Sequence, residues 1–126
     1  VKGKTIAVLG VTFKPNTDDM REAPSLEIIP ALQKAGATIR AFDPAGTVEA
    51  EKLLSNVEFV SGPYFCAEGA DALVIITEWN EFRALDLNRL KSTMKAPVLV
   101  DLRNIYTHDQ AHNAGFEYTS VGRPHG

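Results

Sequence analysis

Thr5-Ile6-Ala7-Val8-Leu9-Gly10-Val11-Thr12-Phe13-Lys14-Pro15-Asn16-Thr17-Asp18-Asp19-Met20-Arg21-Glu22-Ala23-Pro24-Ser25 is the stretch whose reading decides the fold. Its first residues are apolar without alternation, as a parallel strand buried on both faces must be. Its end leads into a run with helical spacing, Leu26, Ile29, Leu32 and Gln33 sharing one side, which Ser25 caps and Gly36 ends. Between strand and helix lies a turn of about fifteen residues, where most such turns have two to six. A loop of that length carrying Lys14, Asp18, Asp19, Arg21 and Glu22 on a proline-stiffened backbone reads as a binding loop rather than a connector.

The pattern then repeats. Strands are expected over 4–10, 38–44, 57–60, 72–77 and 97–101, with a sixth at the edge over 116–121. Helices are expected over 25–36, interrupted by Pro30 without being abolished, and over 47–54, with Val48, Leu53 and Leu54 as the apolar side. Three more follow: 63–69, 82–94 in two pieces around Asp86, and 108–114 closed by Gly115. Strict strand-helix alternation predicts an α/β domain with a doubly wound, mostly parallel sheet of about six strands, Rossmann-like, with helices on both faces. In such a sheet ligands bind beyond the carboxyl ends of the strands, where strand order reverses. With the order 3-2-1-4-5-6, three strand ends meet there: Gly10 to Lys14, Thr77-Glu78-Trp79, and Asp101-Leu102-Arg103-Asn104.

Composition narrows the partners. The 126 residues suit one domain with a genuine core, and 13 basic against 16 acidic residues gather into no block that would address nucleic acid or a membrane surface. One cysteine, Cys66, excludes an internal disulfide and a thiolate metal cluster and suits a reducing, cytoplasmic setting. No apolar run approaches the ~20 residues of a membrane span. A chain that opens without methionine a few residues ahead of a central strand reads as one domain of a longer polypeptide.

Among residues able to carry chemistry, the dinucleotide fingerprint G-x-G-x-x-G is missing, because Val11, Thr12 and Phe13 follow Gly10. Lys14 and Arg103 are long cations at neighbouring strand ends. Either they grip one phosphate from two sides, or each pairs with a carboxylate such as Asp101 or Asp18. Asp18 and Asp19 do not stand where a phospho-acceptor pair would, and read as turn residues or partners of Arg21. Asp43 occupies the position that holds a ribose in dinucleotide domains, yet with no glycine loop Asp43-Pro44 reads as a turn. Cys66 reads as a packed thiol. His108 and His112, four apart, lack a third metal ligand, and with His125 they read as solvated; no metal is expected.

The run from Gly10 to Pro24, Ala70-Asp71-Ala72-Leu73 leading to Thr77-Glu78-Trp79, and Val100-Asp101-Leu102-Arg103-Asn104 together closely resemble the C-terminal domain of the UDP-glucose/GDP-mannose dehydrogenase family, in its UDP-glucose branch. The resemblance covers the whole chain. It implies that residues 1–126 form the UDP-sugar-binding, C-terminal domain of a larger homodimeric enzyme. The NAD-binding domain and the central helical region with the catalytic cysteine would lie outside this sequence. The family oxidises the sugar's 6-hydroxymethyl group twice to a carboxylate, through a thiohemiacetal on that cysteine. By motif position Phe13, Lys14 and Arg103 would line the UDP-sugar pocket and Arg21 would reach toward NAD. No catalytic residue is expected within the chain, which alone would be inactive. GDP-mannose and UDP-N-acetylmannosamine enzymes, or a non-catalytic nucleotide-binding module, are the alternatives.

Overall fold

The computed structural model describes residues 3–11, 25–45, 47–77, 80–102 and 105–120. Among these residues six strands are joined by helices, two of them in succession between β4 and β5: β1 (Thr5–Leu9), α1 (Ser25–Lys34), β2 (Thr38–Phe42), α2 (Thr47–Leu53), β3 (Val57–Phe59), α3 (Pro63–Ala67), β4 (Ala72–Ile75), α4 (Asn80–Arg83), α5 (Leu87–Thr93), β5 (Val98–Asp101), α6 (His108–Asn113) and β6 (Glu117–Ser120). The strands form one sheet in the order β3-β2-β1-β4-β5-β6, every pair parallel. This is the expected doubly wound, Rossmann-like α/β architecture, with β1 and β4 side by side at the reversal of strand order.

Because side chains alternate along a strand, each central strand serves two cores. Ala7, Leu9, Leu73, Ile75 and Leu99 face α3, α4, α5 and α6, meeting Cys66, Ala67, Phe82, Leu90 and Ala111. Ile6, Val8, Ile39, Ala41, Val74 and Ile76 face the other way, onto Ile29 of α1 and Ala50 of α2. That double burial explains why these strands read as unbroken apolar runs. Phe82 is fully buried, with its ring edge-on to Phe42 at 6.2 Å and 63°.

Local chemistry sets the helix boundaries. The expected break around Asp86 is a cap: its carboxylate accepts from the Arg89 amide at 3.2 Å and starts α5. Thr107 and Gln110 form a reciprocal capping box that starts α6, and Gly115, at φ +89°, follows its end. Two expectations are corrected. Ser25 is the first residue of α1 rather than its cap, and its hydroxyl donates to the Val11 carbonyl at 2.5 Å. In α2 the buried side is Ala50 with Leu54, while Val48 and Leu53 are 65 % and 58 % exposed. A seven-residue helix has room for one i, i+4 stripe, and the connection from β2 turns that stripe inward.

Candidate functional site at the strand-order reversal

Gly10 stands at the reversal. Its φ of +84° favours glycine, and a Cβ built there would lie 2.6 Å from the Thr77 Cβ and 2.8 Å from the Thr77 backbone nitrogen. Only the missing side chain lets the chain leaving β1 pass this close to the end of β4. The ladder continues past the strands. Gly10 N–H donates to the Phe42 carbonyl at 2.8 Å, Ile76 N–H to Leu9 at 3.0 Å, and Leu102 N–H to Ile75 at 3.0 Å. The register aligns Leu9, Ile75 and Asp101 across the three strands. The exits of β1 and β5 therefore stand two strand spacings apart, about 10 Å.

Two buried carboxylates hold the described residues at which the chain leaves this floor. Asp43, after β2, accepts from Val11 N–H at 2.8 Å with one oxygen and from Ala45 N–H at 2.9 Å with the other. The second contact is the expected Asp-Pro turn. The first makes Asp43 a brace for the exit of β1, a role sequence reasoning missed. With Ser25 donating to the Val11 carbonyl, both backbone groups of Val11 are engaged, and the two ends of the long loop are tied together at its base.

Asp101, fully buried at the end of β5, does the same for the second loop. One of its oxygens accepts from Tyr106 N–H at 2.9 Å and from the Tyr118 hydroxyl at 2.8 Å, while that hydroxyl also lies 2.8 Å from the Tyr106 carbonyl. The Tyr106 hydroxyl donates to the Phe82 carbonyl in α4. Burial, followed by the nearby Asp101 charge, raises the Tyr106 phenol well above its ordinary range, so it remains a donor. Neither tyrosine was legible as part of the site. Their only trace is Tyr118's place in an alternating edge strand.

Thr77, Asp101 and Leu102 are thus brought together with Gly10 and Val11 as the sequence predicts. Phe13, Lys14, Arg21 and Arg103, together with Asp18, Asp19, Glu78, Trp79 and Asn104, lie outside the described residues. Cys66 is fully buried with its thiol against the carbonyls of Val8 and Arg40, and burial pushes it up to about 12. It is not a nucleophile. Thiol reagents at pH 8 are expected to label it only at the rate of global unfolding; rapid stoichiometric labelling of the native chain would contradict this burial. Among the described residues no group of three or more metal-ligating side chains occurs, and no helix is long and apolar enough to cross a membrane.

A groove of about 680 Å³ lies elsewhere, at the β3 edge, lined by Arg40, Glu58, Val60, Phe65 and Glu68 among others. Its cation is committed. Arg40 pairs with Glu58 at 3.1 Å and donates to the carbonyls of Phe65, Cys66 and Glu68, capping the end of α3.

The chain matches known proteins along its length. Residues 7–108 fit the model of the UDP-glucose/GDP-mannose dehydrogenase family, UDP binding domain. It is 59 % identical over 98 % of its length to a UDP-glucose 6-dehydrogenase of Rhizobium meliloti, covering 28 % of that protein, and 45 % identical to one of Bacillus subtilis, again over 98 % of its length and covering 27 %. Among solved structures it superposes with a TM-score of 0.84 and 30 % identity on the NDP-N-acetyl-D-galactosaminuronic acid dehydrogenase of Methanosarcina mazei, over 97 % of its own length and 25 % of that chain. The chain spans little more than a quarter of the relatives it matches. With the family model covering most of its residues and the fold agreeing, the chain belongs to the UDP-glucose/GDP-mannose dehydrogenase family and corresponds to its UDP binding domain.

Proposed function

We propose that this chain holds the UDP portion of the substrate for an NAD-dependent UDP-glucose 6-dehydrogenase and is the C-terminal domain of that enzyme. The observation that carries the reading is the convergence of the β1, β4 and β5 exits at the reversal of strand order, where two buried carboxylates brace the loops that bear Lys14 and Arg103. A UDP-sugar has two phosphates and a planar base. Two long cations and an aromatic ring, borne on the segments that leave adjacent regions of the sheet, are the groups such a ligand calls for. Lys14 and Arg103 take the diphosphate, and Phe13 lies along the nucleotide.

The described residues after β1 do not fit NAD as a resident of this crevice. A dinucleotide pyrophosphate needs free backbone N–H groups after β1. Here Gly10 N–H is given to Phe42 and Val11 N–H to Asp43. The cofactor belongs to the remainder of the polypeptide, which Arg21 would meet from this side. The domain's part in the reaction is therefore to bind and orient, not to move a hydride or form a covalent bond. The homodimer of the whole enzyme and its cytoplasmic setting are part of the same proposal.

Calorimetric titration of the chain with UDP tests the reading. With only one wall of the pocket present, a Kd near 1 mM is expected, about 4 kcal/mol of binding free energy. No NADH should form from UDP-glucose and NAD. Absence of heat at ten times that concentration, or NADH production by the chain alone, would overturn it.

A further inference from the structure

We propose that Tyr118 is a positioning residue for the turn bearing Arg103 and Asn104. The inference rests on the reading of Arg103 as a phosphate ligand. Tyr118 lies on the edge strand β6, opposite Leu99 in the parallel register, and its ring packs against the core on the α3–α6 side of the sheet. From there its hydroxyl reaches along β5 to the Asp101 carboxylate and past it to the Tyr106 carbonyl, both at 2.8 Å. Those two groups are the two ends of the turn. Asp101 closes β5 just before it, and Tyr106, whose N–H donates to the same Asp101 oxygen at 2.9 Å, stands just after it.

Three consequences follow from this arrangement. The Asp101 oxygen is shared by the Tyr106 N–H and the Tyr118 hydroxyl, so each donor helps to set its orientation. The entry to the turn is fixed independently by Leu102 N–H donating to Ile75, and the exit by Tyr106 reaching Phe82 in α4. The turn after β5 is thereby coupled to the segment that follows β4, the third strand end at the crevice. The Tyr118 ring is half-buried against the core, while its hydroxyl is directed to Asp101 and Tyr106. Its geometry is better accounted for by the turn it closes than by the sheet edge it decorates. A cation used to hold a ligand at one point in space needs its flanking backbone fixed, and Tyr118 contributes to that at Asp101 before Arg103 and at Tyr106 after it.

Tyr118→Phe keeps the ring and removes the hydroxyl. In the chain itself, amide hydrogen exchange at Tyr106, whose N–H donates to Asp101, is expected to quicken roughly tenfold, while Val8 and Val74 exchange as before. Unchanged exchange at Tyr106 would overturn the proposal without involving UDP. In the complete dehydrogenase, kcat/KM for UDP-glucose should fall about five- to tenfold with Arg103 present and less than about twofold in an Arg103→Ala background, because a residue acting through Arg103 has nothing left to position. An equal fall in both backgrounds would make Tyr118 merely structural and sink the idea. If the unsubstituted enzyme does not oxidise UDP-glucose, the functional reading fails on that control alone, and the exchange measurement still decides the role of Tyr118.

Discussion

Gly10→Ala is expected to destabilise the chain by about 2 to 5 kcal/mol, combining the cost of a left-handed backbone at a residue with a Cβ with that of overpacking. The added methyl would sit 2.6 Å from the Thr77 Cβ and 2.8 Å from a backbone nitrogen, distances that no rotamer change relieves. Thr77 cannot yield easily. It is fully buried, and the preceding Ile76 N–H is bonded to Leu9 across the β1–β4 pair. Relief would require the two central strands to part at the crevice, so ligand binding should be lost along with stability. Native domains are stable by only about 5 to 15 kcal/mol, which makes this a large fraction of the total. Urea denaturation should show a lower midpoint with an unchanged slope; a change under ~0.5 kcal/mol would mean that the close approach at Gly10 is not constraining.

Lys14→Ala and Arg103→Ala are each expected to lower kcat/KM for UDP-glucose in the complete enzyme by about ten- to a hundredfold. A hydrogen bond to a charged group contributes roughly 1.5 to 3 kcal/mol, and each 1.4 kcal/mol is a factor of ten. The two alanine variants are expected to melt close to the unsubstituted protein, because the braces among the described residues are built from other groups: Val11 is held by Asp43 and Ser25, and Tyr106 by Asp101 and Tyr118. Arg103→Lys should restore only part of the loss if the phosphate is gripped by both guanidinium arms, since an ammonium offers one point charge. Steady-state kinetics on these three variants reads the effect, and unchanged values for both alanines would remove the assignment.

Most of the fold was legible because its determinants are local and repeated. Ile6 to Leu9 and Leu73 to Ile76 are apolar on both faces, and that pattern together with strand-helix alternation specifies a parallel sheet before any pairing is known. The break at Asp86 was readable because a cap is a property of three or four consecutive residues. What stayed hidden depends on partners distant in sequence. Tyr118 finds Asp101 across 17 positions and Asp43 finds Val11 across 32, and nothing in either neighbourhood announces the bond. The direction of α2 was misread for a related reason. Val48 and Leu53 are apolar, but which stripe of a short helix faces inward is set by the turn from β2, where the Thr47 hydroxyl donates to the Asp43 carbonyl at 3.3 Å. The strand ends that form the crevice follow from topology, whereas the carboxylates and tyrosines that stiffen it meet only in the folded chain.

The central claim is that UDP sits at the strand-order reversal, and following the UDP titration residue by residue through backbone amide resonances tests it most directly. The account predicts saturable shifts with a Kd near 1 mM at Gly10, Val11, Thr77 and Leu102, the described residues at the exits of β1, β4 and β5. Shifts gathered instead at Arg40, Glu58, Phe65 and Glu68, the groove at the β3 edge, or none at all up to saturating UDP, would contradict it.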